Sequence, residues 1–212
     1  MLTIARERAR RFEDLRLDGS NARQRLVDQI EGAFGEDDLA YLLQMLGYAE
    51  GLDYDHPGLS KQIYLSHPYR VGAMSVQLMQ PVNRHITALA LIHNVLEVAA
   101  IPTEELVERV GETMYRELEA LTVDRAQSSE AYKEQYYGGI RAAGAAAMIV
   151  KCLDKLDNMF MLCLNPDENI RHSYLAEIRD HVAPMVDENL PGLSVYFQEL
   201  IENCLQTGHL EN

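Results

Sequence analysis

The residues best suited to chemistry are polar side chains set into apolar helical stretches. In Thr87-Ala-Leu-Ala-Leu-Ile-His-Asn-Val-Leu-Glu-Val98, His93 and Glu97 are four apart and share a face of what reads as one buried helix, with Asn94 beside them. Burying three polar groups among Leu89, Leu91, Ile92 and Leu96 is costly unless each meets a hydrogen bond or a metal. A second stretch, Ala147 to Phe160, carries Asp154 and Asn158 four apart, with Lys151 one turn before Asp154 and apolar residues between. A third residue, His67, precedes Pro68, which is expected in the first turn of a helix, where a missing amide hydrogen does no harm. That places His67 at a helix N-terminus beside an irregular loop, with Arg70 one turn on and able to reach a bound anion. Two imidazoles with carboxylate and amide oxygens from three helices make a divalent-metal site, borderline to hard in its ligands.

The elements that must position these groups are helices throughout. Helical character runs from Thr3 to about Leu17, breaks at Asp18-Gly19-Ser20, and resumes to Phe34, with Gly35 as its stop. A third helix is expected over Asp37 to Glu50, on a stripe of Leu39, Leu42, Leu43, Leu46 and Tyr48. After the loop Gly51 to Ser66 and the helix of His67, Gln80-Pro-Val-Asn83 separates the His93 helix, whose pattern ends near Pro102. Thr103 opens a helix interrupted at Gly111, Ser128 or Ser129 opens one through Tyr132, Tyr136 and Tyr137, and Gly144 precedes the Asp154 helix. Pro166 to about Met185 and Pro191 through Leu205 complete the set. The tyrosines read as helix packing, and His85, His172, His181 and His209 as surface residues. With no strand alternation, repeat or low-complexity linker, the expected fold is all-α in one domain.

Composition narrows the function classes. The chain has 212 residues, 47% of them hydrophobic, enough for a proper core. Its longest apolar runs are too short or too rich in alanine to span a bilayer, and no secretory signal pattern opens it, so a cytoplasmic protein is expected. Three cysteines, Cys152, Cys163 and Cys204, form no Cys-x-x-Cys pair and argue against disulfides and zinc thiolates. The net charge of −14 is uneven: residues 1–26 hold seven arginines against four acids, leaving 12 basic and 29 acidic residues for the remainder. So acidic a chain repels DNA and RNA. The arginine-rich start reads as a solvated helix face, with an oligomer contact, and hence a homo-oligomer, as the alternative.

His67-Pro68, Ala88-Leu-Ala-Leu-Ile-His93, Thr103-Glu-Glu-Leu106 and Val150-Lys-Cys-Leu-Asp154-Lys-Leu-Asp-Asn158-Met resemble the successive motifs of the HD-domain superfamily. The resemblance is closest to the hydrolase domain of the Rel/Spo alarmone enzymes and their small stand-alone relatives. It implies an HD-domain helical bundle, with residues 1–36 as an N-terminal helical extension, 37–165 as the phosphohydrolase core, and 166–212 as helices packing on that core. It implies manganese-dependent removal of the 3′-pyrophosphate from a guanosine polyphosphate such as ppGpp, a small phosphorylated nucleotide being the partner. On this resemblance His67, His93, Asp154 and the residue at position 94 are metal ligands. Glu97 positions or deprotonates the attacking water, Asn158 lies on the substrate side, and Arg70, Lys151 and Lys155 offset phosphate charge.

Two positions depart from the pattern. Asn94 stands where the family has the metal-binding aspartate of its His-Asp pair, and Val98 where the aspartate of a Glu-Asp pair is expected. A carboxamide ligates without charge, and valine moves no proton. Two readings therefore stay open: a phosphohydrolase with a partly degenerate site, and an inactive HD-fold regulator that binds a nucleotide or partner. The family's basic residue in the loop before His-Pro has only His56 and Lys61 as nearby candidates.

Overall fold

The computed structural model describes residues 3–17, 19–55 and 58–210; His56 lies outside the described residues. Among them there is no strand, and the all-α expectation holds. The helices are α1 (Ile4–Arg16), α2 (Ser20–Ala33), α3 (Glu36–Gly51), α4 (Lys61–Leu78), α5 (Arg84–Ile92), α6 (Val95–Val98), α7 (Thr103–Leu121), α8 (Glu130–Ala143), α9 (Ala145–Met161), α10 (Glu168–Glu177), α11 (Ala183–Asn189) and α12 (Ser194–Thr207). Among the described residues no helix is long and apolar enough to cross a membrane.

The bundle is built around α9. Its sequence is apolar on almost every side, and Ala147 through Leu156 are buried with the single exception of the half-buried Lys155. A helix of that kind must be enclosed. The neighbours α4, α5, α7 and α8 pack on it from one side, α11 and α12 from another, and α1 also reaches it. Gly144, at φ +109°, provides the sharp passage from α8 into α9.

Several helix starts are set by the side chains that cap them. The Ser60 hydroxyl accepts the Ile63 amide, Asn83 the Ile86 amide, Ser129 the Tyr132 amide, and Asp167 the amides of Asn169 and Ile170. Gly111, at φ +81°, kinks α7 where the sequence predicted an interruption.

Four expectations need correction. The His67 helix begins at Lys61, so Pro68 lies at the end of its second turn and His67 is not at an N-terminus. There the proline has no amide hydrogen to give to the helix. The run Thr87–Val98 is not one helix: α5 ends at Ile92, and His93 and Asn94 bend the chain into the four-residue α6. The stretch 166–185 is likewise divided, with a wider π turn over Ile178–Val182 between α10 and α11. Finally, the arginine-rich start is not a solvated face. Glu7, Arg8, Arg11 and Asp14 of α1 are buried, with Arg11 over the ring of Phe160 at 4.0 Å and Arg8 bonded to Asn203 of α12 at 2.7 Å. Burial of these charges is tolerable because each meets an opposite charge or an acceptor.

A candidate metal centre in a nucleotide-sized cavity

His67 on α4, His93 at the end of α5 and Asp154 on α9 meet with ligand atoms all within 4.8 Å of one another. The two Nε2 atoms are 3.2 Å apart, and Asp154 Oδ1 lies 3.2 Å from that of His67 and 3.8 Å from that of His93. The other ring nitrogens determine what this cluster is. His93 Nδ1 donates to the Ala90 carbonyl at 2.8 Å, and His67 Nδ1 donates to Asp157 Oδ2, also at 2.8 Å. Both partners only accept, so in the neutral rings both Nε2 atoms present lone pairs toward each other and toward a carboxylate. Three electron-rich atoms converging in a buried position call for a positive charge between them, which a proton on His67 Nε2 or a metal ion supplies. These donors suit a divalent metal ion of borderline character, and an imidazole anchored through its second nitrogen is the usual state of a metal-bound histidine.

The electrostatics agree. Burial opposes a charge on His67, but hydrogen bonds to Asp154 and Asp157 override it and raise its pKa to about 8. For His93, burial dominates and lowers it to about 4. Burial would also protonate Asp154, yet the Lys151 ammonium at 2.9 Å from its Oδ2, together with the His67 bond, holds its carboxyl well below the usual range. Asn158 donates its amide to Asp154 Oδ1 at 2.6 Å, so this carboxylate is fixed from both sides.

Behind His67 lies a residue that sequence reasoning passed over. Asp157 is fully buried; its Oδ1 accepts Arg11 Nε at 2.7 Å, and its Oδ2 accepts Arg70 Nη2 and His67 Nδ1, both at 2.8 Å. Arg70 was expected to bind substrate. Although it borders the cavity, its guanidinium bonds to Asp157 and to the Ser66 hydroxyl, with Asp14 at 3.8 Å.

The cavity in front of the cluster has a volume of about 720 Å³ and is walled by α4, the α5–α6 bend, α9 and α10. Asn94 and Glu97 line it with His93. The Asn94 carboxamide caps no helix and makes no hydrogen bond among the described residues, whereas Glu97 is held by Arg125 Nη2 at 2.8 Å and by the Val123 amide at 3.4 Å. Val98 is buried and is not part of the cavity wall. Lys155 pairs with Glu177 at 3.4 Å and lies 4.4 Å from the Tyr174 ring centre, and Lys151 lies 5.4 Å from that of Tyr136. Arg125, on the loop between α7 and α8, is the most exposed of these cations and had no sequence signal beyond its charge. Tyr136 borders the cavity, while Tyr137 is buried with its hydroxyl on Glu177 at 2.6 Å, which agrees with a packing role. His181 stacks on Tyr137 at 4.6 Å, and His85 pairs with Glu117.

No family model matches the chain, and no curated protein matches it in sequence. Among solved structures, it is similar to one described as a metazoan ortholog of SpoT that hydrolyses ppGpp and plays a role in starvation responses. The TM-score is 0.63 at 18% identity, covering 80% of this chain and 97% of that one. At that identity the likeness is one of fold, an all-helical bundle shared with that structure.

Proposed function

Starting from a helical bundle shared with a ppGpp hydrolase, we propose that this chain is an HD-type metal-dependent phosphohydrolase acting on a guanosine polyphosphate or a related nucleotide. The observation that carries the reading is the convergence of two imidazole lone pairs and one carboxylate at the wall of a nucleotide-sized cavity. His67, His93 and Asp154 hold the metal, and the free carboxamide of Asn94 adds a neutral oxygen where a charged one would bind more strongly. Manganese is the ion proposed; a bound divalent metal acidifies a coordinated water and polarises a phosphoryl oxygen.

The remaining steps belong to the chain's own groups. Glu97 is the cavity carboxylate placed to accept a proton from the attacking water, once Arg125 moves from it to the substrate. Arg125 and Lys155 neutralise phosphate charge at the transition state, and Lys151 acts from behind by fixing Asp154. Asn158 orients Asp154 through its amide and borders the cavity on the substrate side.

A second reading, that the chain binds a nucleotide without hydrolysing it, is favoured by three features. Asn94 is neutral, Glu97 is tied to Arg125, and Val98 is buried away from the cavity. One experiment separates the two: incubation of metal-free protein with ppGpp, with and without Mn²⁺, followed by chromatography for GDP and pyrophosphate. Manganese-dependent release of pyrophosphate supports the hydrolase. Saturable ppGpp binding by calorimetry without release supports the binder, and absence of both refutes the shared reading.

A further inference from the structure

The N-terminal helix reaches the back of the metal centre, and we propose that Arg11 and Asp157 are positioning residues that fix the orientation of His67 for its metal. The proposal rests on the metal-dependent reading above. Asp157 is a buried carboxylate shared among three donors from three directions: Arg11 from α1, Arg70 and His67 from α4. Arg11 binds Oδ1 at 2.7 Å, and Arg70 spans both oxygens at 3.0 and 2.8 Å. Together they hold the carboxylate rotation so that Oδ2 faces the His67 ring. With both its oxygens held by arginine donors, Asp157 accepts the His67 Nδ1 proton at 2.8 Å and so leaves Nε2 as the ring atom turned toward the metal.

Arg11 is itself kept in place. Its Nη1 donates to Glu7 at 2.7 Å, and its guanidinium lies over Phe160. On the opposite flank Arg25 of α2 bonds both oxygens of Asp14 at 2.6 Å, and Asp14 faces Arg70. The charges alternate in sign along the row Glu7, Arg11, Asp157, Arg70, Asp14, Arg25, so removal of any inner member leaves a neighbour without its full partner. A row built only for stability would not need a branch from Asp157 to a nitrogen of the metal-binding ring.

The test compares Arg11→Met and Asp157→Asn with Arg8→Met in the full-length chain. Arg8 is a control because it is also buried on α1 and bonds α9 and α12, but does not touch Asp157. Mn²⁺ affinity is measured by calorimetry on metal-free protein, with thermal unfolding followed in parallel. Asp157→Asn should weaken Mn²⁺ binding about 10–100-fold and Arg11→Met about 10-fold, the range found for partners of metal-bound histidines. Arg8→Met should lower stability and leave affinity within about twofold, since it has no contact with the row. Should Arg11→Met fail to fold, Arg11→Lys keeps the charge but loses the fixed fork, and a weakened affinity is again expected. Wild-type Mn²⁺ affinity in folded Asp157→Asn or in the Arg11 variants, or an equal loss in Arg8→Met, overturns the positioning role. Absence of Mn²⁺ binding by the wild-type chain is a different result, refuting the metal reading and this inference with it.

Discussion

Replacing Asp154 by asparagine separates the part of the metal centre that binds from the part that stabilises. In the metal-free protein Asp154 neutralises Lys151, whose side chain is only 6% exposed. Burial would discharge that ammonium, and Asp154 is the main influence that keeps its pKa well above the usual value. Taking away one partner of a buried pair costs about 3–5 kcal/mol. An upper limit comes from Lys151 giving up its proton: neutralising an ordinary lysine at pH 7 costs about 1.36 kcal/mol for each of roughly 3.4 units, or about 4.6 kcal/mol. The Tyr136 ring 5.4 Å away remains to offset part of the loss, so about 3 kcal/mol is expected. For a domain of this size that corresponds to a fall in Tm of about 6–12 °C. The double variant Lys151→Met/Asp154→Asn removes both charges, keeps the Asn158 amide bonded to a carbonyl oxygen, and should recover at least about 2 kcal/mol. Metal binding should be lost in both. The assay is calorimetric unfolding in the presence of a chelator. A single variant melting within about 2 °C of wild type, or a double variant no more stable than the single, would refute the view that Lys151 depends on Asp154.

Three further outcomes are expected. Asn94→Asp adds a charged oxygen at the cavity wall and should raise Mn²⁺ affinity about 10-fold or more, with a matching gain in pyrophosphate release; unchanged affinity by calorimetry would show that position 94 does not face the metal. Gly19→Ala places a Cβ 2.7 Å from that of Ser66 and 3.0 Å from the Gln62 carbonyl, at φ +73°. The left-handed backbone costs about 1–2 kcal/mol and the overpacking about 1–3, so urea unfolding should show a loss of about 2–5 kcal/mol. His85 carries a raised pKa, mainly from its hydrogen bond to Glu117, with burial and Arg84 opposing. A raised folded-state value means that its stabilisation is complete below the unfolded pKa of about 6.5 and is lost as pH rises through the folded value. His85→Gln should therefore reduce stability at pH 6 and have little effect at pH 9, by less than about 1 kcal/mol since the pair is partly exposed; equal effects at both pH values would contradict the assignment.

What the sequence discloses here depends on how local the cause is. Helix starts at Ser60, Asn83, Ser129 and Asp167 are set by the caps and the residues that follow them; the sequence reading ends a break at Asn83, offers Ser128 or Ser129 for the third, and begins the last at Pro166, just before the helix from Glu168. It fails at the first because His-Pro suggests a helix start, while the Ser60 cap lies a turn and a half earlier and tertiary packing overrides the proline. The break at His93–Asn94 has no local signal, since no glycine or proline interrupts Thr87–Val98 and period alone does not distinguish one helix from two. Yet that bend is what lets His93 return its Nδ1 to the Ala90 carbonyl and turn Nε2 toward His67.

Arg11 and Asp157 are the clearest case of what stays hidden. They are 146 residues apart, and nothing near Arg11 marks it as buried. In α1 the charges Glu7, Arg11 and Asp14 recur at spacings of four and three, the same pattern that a solvated face of i,i+4 ion pairs would show. Only a partner on another helix converts that stripe into an interior one. For Asp157 a hint did exist: a second aspartate, three residues after Asp154, in a helix apolar on nearly every side. A carboxylate in such a setting must be answered by donors. The four-residue spacing of Asp154 and Asn158 describes the face toward the cavity, and Asp157 stands on the flank between that face and α1. The same helix thus offers one carboxylate to the proposed metal site and a second to a histidine of that site. This is why a departure in charge at position 94 is better judged against the whole set of charges around His67 than against the ligands alone.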